Sequence, residues 1–180
     1  NYLVPANNWR LRWKVIQAMM QLACIYKDSA VFNKHFKEIF IKGLKDPAFT
    51  VRSTTIDFIP KFPGFLNDNF LLTYLGVEML QIIDDPKKHN YMLRISSIYG
   101  IGKLHETMKD EGPINQLILN QILPLLDSEI ANVRQVAVKV LKGVLKRSKK
   151  KDMRETLSKK MRELASKEKD QEIKFMVQRS

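Results

Sequence analysis

Cysteine is almost missing from this chain of 180 residues. The single copy, Cys24, excludes an internal disulfide and suits a reducing compartment, cytoplasmic or nuclear. It falls in the apolar part of a helical pattern, so an inert core thiol is expected. No run of about 18 apolar residues occurs, and no membrane span is expected. The first residues are polar and broken by Pro5, unlike a signal peptide. Histidine is scarce too: His35, His89 and His105 stand apart, none with a second ligand at metal spacing. Glycine-rich phosphate loops, nucleophile elbows and HExxH patterns are lacking. Carboxylates are scattered along helix faces, which leaves no candidate pair for acid–base chemistry. These absences predict a protein that is not an enzyme and holds no metal or cofactor.

What is present is ordinary, with one exception. The apolar share of 44% and charged share of 28% suit a soluble globular domain. A chain of this length can bury roughly 70% of its unfolded surface. The exception is a net charge of +12, which favours acidic partners.

The clearest pattern runs from Ile130 to Leu145. Val133, Val136, Ala137, Val140, Leu141, Val144 and Leu145 keep the spacing of one helix face, and Val138 adds a second apolar edge. Asp127 and Ser128 precede it with turn and capping chemistry. Ile114 to Leu126 reads as an earlier amphipathic helix, so the two make a helical hairpin. With Arg134 as a ruler, further copies emerge. A cation recurs at Arg12, Arg52, Arg94, Arg134 and Lys174, at intervals of 40, 42, 40 and 40 residues. Branched aliphatics precede each one, and small or apolar residues recur three, four, seven and ten positions later. A period near forty built from helix pairs is the signature of HEAT or armadillo arrays. The expected fold is therefore all-α: a HEAT-repeat superhelical solenoid of antiparallel helix pairs, with about five repeats.

In chain order, residues 1–28 form a partial repeat, 29–66, 67–110 and 111–148 are complete, and 149–180 is partial again. The outer repeats being incomplete predicts a piece of a longer array. Pro60 should end or kink its helix, and Pro124 should bend another. Gly100 and Gly102 lie inside a helix, where each costs roughly 1 kcal/mol relative to alanine; close approach of a neighbouring helix would explain them. Residues 146–170 hold eleven basic and five acidic side chains. Met153, Leu157, Met161 and Leu164 keep helical spacing there, so this is a helix rather than a tail. Stacked between repeats, the ruler cations would face aspartates such as Asp46 and Asp127 and hold the register.

Trp9 and Arg10 open a helix, and tryptophan with arginine is the makeup of an interface hot spot. Packing of Trp9 on Tyr2 or Leu3 is the plainer alternative. Phe49 and Tyr91 occupy comparable turns, and the three would form a ridge. A different surface comes from Lys139, Lys142, Lys146, Arg147, Lys149, Lys150 and Lys151, a basic patch able to contact nucleic-acid phosphates or another acidic partner. Aromatic residues are not interleaved with these lysines, so base stacking has no support.

The turns also carry a resemblance. Asn8-Trp9-Arg10-Leu11-Arg12 resembles the Trp-Arg-x-Arg start of the eleventh repeat in the scaffold (A) subunits of protein phosphatase 2A. Asp46 to Arg52 is similar to that family's Asp-x-x-Tyr-x-Ile-Arg turn, with Phe49 in place of tyrosine. Asp85-Pro86 and Asn90-Tyr91 to Arg94 resemble a lengthened Asp-Pro-Asn-Tyr turn. Ile130 to Arg134 is similar to Val-Ala-Asn-Val-Arg of the fourteenth repeat, and Asp170 to Gln178 resembles the final Asp-Val-Lys-Tyr-Phe-Ala-Gln stretch. The likeness covers nearly the whole chain in order. It implies a non-catalytic scaffold or regulatory subunit that binds a Ser/Thr phosphatase catalytic subunit through its intra-repeat turns, alongside a further regulatory subunit. Trp9, Arg10, Phe49, Asn90, Tyr91, Asn132 and Glu172 become the implied contacts. Two departures stand out: the family is acidic, and Lys146 to Lys151 has no counterpart in it. A divergent HEAT-repeat regulatory subunit of phosphatase 4 or a related phosphatase would fit both.

Overall fold

The computed structural model describes residues 7–84 and 91–178, and among them every regular element is helical. The chain forms two compact units, divided between Thr107 and Met108.

In the first unit, α1 (Trp9–Tyr26) is followed by α2 (Ser29–Val31), a π-helical turn (Phe32–Phe36) and α3 (Lys37–Leu44). Asn8 caps α1 by accepting the Leu11 amide at 3.2 Å. Lys27 ends it in the left-handed conformation, and Asp28 starts α2 by accepting the Val31 amide at 2.8 Å. A short turn leads to α4 (Phe49–Asp57), which tightens into a 3₁₀ segment (Ile59–Gly64) where Pro60 cannot donate an amide. Then come α5 (Asp68–Phe70), a second π turn (Leu71–Gly76), α6 (Val77–Ile83) and α7 (Tyr91–Thr107). α4 packs on both α1 and α3, and α7 packs on α4 and α6. The core between them is rich in phenylalanine. The Phe62 ring meets Phe32 and Phe40 edge-on, with centroids 5.1 and 5.3 Å away.

The second unit contains α8 (Glu111–Leu117), a third π turn (Ile118–Ile122) and a 3₁₀ segment (Leu123–Asp127) carrying Pro124. α9 (Ala131–Arg147), α10 (Lys151–Lys167) and α11 (Gln171–Gln178) complete it, and these three pack pairwise. Val133, Val136 to Val138, Val140, Leu141 and Val144 are buried as their spacing predicts, as are Met153, Leu157, Met161 and Leu164. Two local expectations change. α9 runs on through Lys146 and Arg147, so the following helix begins only at Lys151. Asp127 does not cap α9, which has no side-chain cap; its carboxylate instead binds Lys160 and Lys167.

The π turns share one cause. In the leading helix of each hairpin the buried residues advance in steps of four: Phe32, Phe36, Phe40 and Leu44, then Leu71, Leu75, Met79 and Ile83, then Ile114, Ile118, Ile122 and Leu126. At 3.6 residues per turn, each such step drifts by about 40° around an α-helix. A π turn takes up more residues per revolution and restores the face. α10 makes its last step three residues, Met161 to Leu164, and stays α-helical throughout.

Candidate partner-binding edge

The starts of α1, α4 and α7 lie together along one edge of the first unit. Side-chain bonds between neighbours set their register. Trp13 Nε1 donates to Thr54 Oγ1 at 2.9 Å, joining the second turns of α1 and α4. Arg52 Nε donates to Ser96 Oγ at 2.9 Å, joining α4 to α7 at the same level. Arg12 holds the turn before α4: its Nε and one terminal nitrogen reach the two Asp46 carboxylate oxygens at 2.7 and 3.0 Å. Asp46 Oδ1 also accepts the Ala48 amide at 2.8 Å, so this carboxylate shapes the turn that launches Phe49. Arg52 closes the same turn from within, donating to the Asp46 and Pro47 carbonyls at 2.7 and 2.9 Å. The hydrogen bond to Asp46 raises the pKa of Arg12, whereas burial lowers that of Arg52.

Each of the three helices opens on an aromatic residue. Trp9 is half-buried, and the Arg10 guanidinium sits 4.7 Å from its ring centroid. Phe49 is 58% exposed and Tyr91 37% exposed. The Arg52 guanidinium approaches the Phe49 ring from the protein side, 5.9 Å from its centroid. Leu11 and Met92 extend the edge, both more than two-fifths exposed. Sequence reasoning missed these two, and it missed Trp13, one turn after Trp9 with Lys14 Nζ 4.3 Å above its ring. A readable signal existed, since Trp9 and Trp13 share a helix face. Asn90 lies outside the described residues, as do Tyr2 and Leu3.

The other implied contacts belong to the second unit. Asn132 is exposed in the first turn of α9, and Glu172 is exposed in the first turn of α11. Neither helix begins with an aromatic residue; Ala131 and Gln171 stand there. The arginine-to-acid device recurs, with a different partner from the one expected. Arg134 binds both oxygens of Glu168 at 2.8 and 2.9 Å, a separation of 34 residues, as for Arg12 and Asp46. Its Nη1 donates to the Ser128 and Glu129 carbonyls, six and five residues back, as Arg52 does to Asp46 and Pro47. Glu168 is held at about 2 by those Arg134 bonds, helped by the Asp170 and Lys169 amides.

The basic patch divides by role. Lys142 is half-buried and donates to the Met176 carbonyl at 2.6 Å, tying α9 to α11. Lys139, Lys146, Arg147, Lys149, Lys150 and Lys151 are exposed. Among the described residues no group of three or more His, Cys, Asp or Glu side chains could hold a metal ion. Cys24 is half-buried, and burial pushes its thiol pKa up, away from thiolate chemistry at neutral pH. No described helix is long and apolar enough to cross a membrane. No protein-family model matches the sequence, and a search of curated proteins finds no match.

Proposed function

We propose that this chain is part of a HEAT-repeat scaffold or regulatory subunit that positions a Ser/Thr phosphatase catalytic subunit of the 2A or 4 type. The observation that carries the reading is the aromatic edge: three aligned helices, each opening on an exposed or half-exposed ring. Arg12, Arg52 and Asp46 lock the turn beneath Phe49, so that part of the edge is pre-organised and loses little freedom on binding. The resemblance of the Trp9, Phe49 and Tyr91 turns to the scaffold family supplies the identity of the partner. In this role the protein performs no chemistry itself.

Trp9→Ala tests the site directly. Calorimetric titration with a purified 2A-type catalytic subunit is expected to show a loss of roughly 2 kcal/mol, the scale of a central hot spot. Unchanged affinity in a variant with wild-type helical content removes the edge as the contact. A second reading has its own observation. Lys149 and Lys150, on the loop before α10, and Lys151, at the start of α10, are exposed side by side, and a phosphate backbone would meet them there.

A further inference from the structure

α1 carries two apolar faces, and only one of them is covered. Arg12, Ile16, Met20 and Ala23 are buried, and α3 and α4 pack on this helix. Leu11, Val15, Ala18, Leu22 and Ile25 recur at helical spacing along a different face. There Leu22 is 43% and Ile25 74% exposed, and Tyr26 stands beside them at 62%. The polar side chains Arg10, Lys14, Gln17 and Gln21 keep to a single strip. A helix that is apolar nearly all round is one that is covered on more than one side.

The complete hairpins show what belongs on the open face. Counted from Arg12, Val15, Ala18, Leu22 and Ile25 stand three, six, ten and thirteen residues on. Counted from Arg52, the same places hold Thr55, Phe58, Phe62 and Phe65; from Arg94 they hold Ser97, Gly100, Leu104 and Thr107. Contacts at these places run to the leading helix of the same hairpin. Thr55 lies against Gly43, and Phe62 and Phe65 meet Phe32, with ring centroids 5.1 and 5.9 Å away. Gly100 faces Met79, and Leu104 lies beside Gly76. In α9 the register repeats, with Ala137, Val140 and Val144 buried. In α1 it is open to water.

We infer that this face is the seat of a leading helix from the same polypeptide, N-terminal to α1 and packed on it as α6 packs on α7. In each complete hairpin the leading helix directly precedes the helix it covers, which sets the source. The occupant is amphipathic, with bulky apolar residues at four-residue steps like Leu71, Leu75, Met79 and Ile83. Ala18, in the register of Gly100, leaves room for one of them. A second copy of the chain fits less well, because each copy carries a net charge of +12 and Lys14 borders the face. Which partner the aromatic edge takes has no bearing on this seat.

A fluorescently labelled peptide of residues 67–84, the leading helix of the α7 hairpin, is the probe. Its three carboxylates and lack of cations suit a basic chain. Anisotropy against the full chain is expected to show saturable binding. Leu22→Glu and Ile25→Glu should each weaken it at least about tenfold, since the contact would bury an unpaired carboxylate. Both side chains are exposed, so circular dichroism of the variants should match wild type. Val77→Glu, at a residue as exposed as Leu22, should leave binding unchanged. Tethered ahead of Asn1 by a glycine–serine linker, the same segment should raise the unfolding temperature and shut out the free peptide. Absence of peptide binding overturns the inference, as does binding that neither α1 variant weakens. It is overturned equally if sedimentation shows a dimer that Leu22→Glu dissociates, because the face then belongs to a second copy. A tethered segment that leaves the unfolding temperature unchanged overturns the assignment to the same polypeptide.

Discussion

Single residues decide how firmly the turns are held. Arg12 and Asp46 are 7% and 4% exposed, so each has lost most of its water and depends on the other. Asp46→Ala strands the guanidinium and frees the Ala48 amide. Urea titration should show a loss of about 3–5 kcal/mol, the scale of breaking a buried pair by removing one side. Asp46→Asn keeps an acceptor for the Ala48 amide and should cost clearly less. The exposed Lys45–Glu78 pair is the comparison, at 2.7 Å but well solvated; Glu78→Gln should change stability by under about 1 kcal/mol. In the second unit the same kind of contact gives a pH dependence. Glu168 sits at about 2 when folded, against an ordinary 4.5. Its depressed value means that its contribution is fully present above about 4.5 and fades as the pH falls toward 2. Glu168→Gln should therefore be less stable than wild type at neutral pH, by roughly 2 kcal/mol. Chemical denaturation at pH 7 and at about pH 3 should show that gap shrinking in acid; a constant gap would assign the stability to packing instead of charge.

At the scale of the helix, two glycines give opposite expectations. A β-carbon on Gly43 would collide with Thr55 Oγ1 and lie 2.9 Å from Ile16 Cδ1. Thr55 is β-branched and its hydroxyl donates to the Val51 carbonyl, so it cannot swing aside cheaply. Gly143, inside α9, would meet nothing within 4 Å. Alanine is the better helix former by about 1 kcal/mol at either site. Thermal unfolding should thus show Gly143→Ala stabilised by up to that amount, and Gly43→Ala destabilised by about 1–3 kcal/mol from overpacking. Gly100 belongs with Gly43, because a β-carbon there would collide with the buried Met79 sulfur. Its sequence position suggested such a close approach. Helix existence was legible in the same way, since apolar spacing reports the buried face directly. The π turns were not inferred, although strict four-residue steps such as Ile114, Ile118, Ile122 and Leu126 carry their signal. Acid partners were the least legible feature. Asp46 faces Arg12, but Asp127 turns to Lys160 and Lys167 while Glu168 takes Arg134, and that choice depends on loop geometry that spacing does not encode. Aromatic positions at helix starts could be read. The setting of Arg94, whose Nε is buried with no hydrogen-bond partner among the described residues, could not, because its ruler position made it look like the others.

For the molecule as a whole, the question is which of two cationic surfaces the net charge of +12 serves. The stretch Lys146 to Lys151 puts five cations into six positions. Its backbone is anchored: Ser148, 3% exposed, donates to Glu111 Oε2 at 3.1 Å, and the Lys149 amide donates to the same oxygen at 3.2 Å. The loop therefore holds its shape while Lys149, Lys150 and the adjoining Lys151 of α10 face water; an exposed Glu155 reaches Lys151 at 3.6 Å. No large exposed apolar residue lies on this loop, in contrast with the edge of Trp9, Phe49 and Tyr91. A surface of charge alone attracts polyanions weakly and releases them as salt rises. The variant carrying Lys149→Glu, Lys150→Glu and Lys151→Glu should accordingly lose whatever affinity wild type has for duplex DNA, and the salt slope should flatten. On the proposed reading, in which the aromatic edge is the contact, affinity for a 2A-type phosphatase catalytic subunit should stay within about twofold of wild type, as for charges outside the contact. Both readouts come from parallel titrations over a range of salt. If the triple variant abolishes phosphatase binding and Trp9→Ala does not, the contact belongs to the anchored loop, and the aromatic edge has another use.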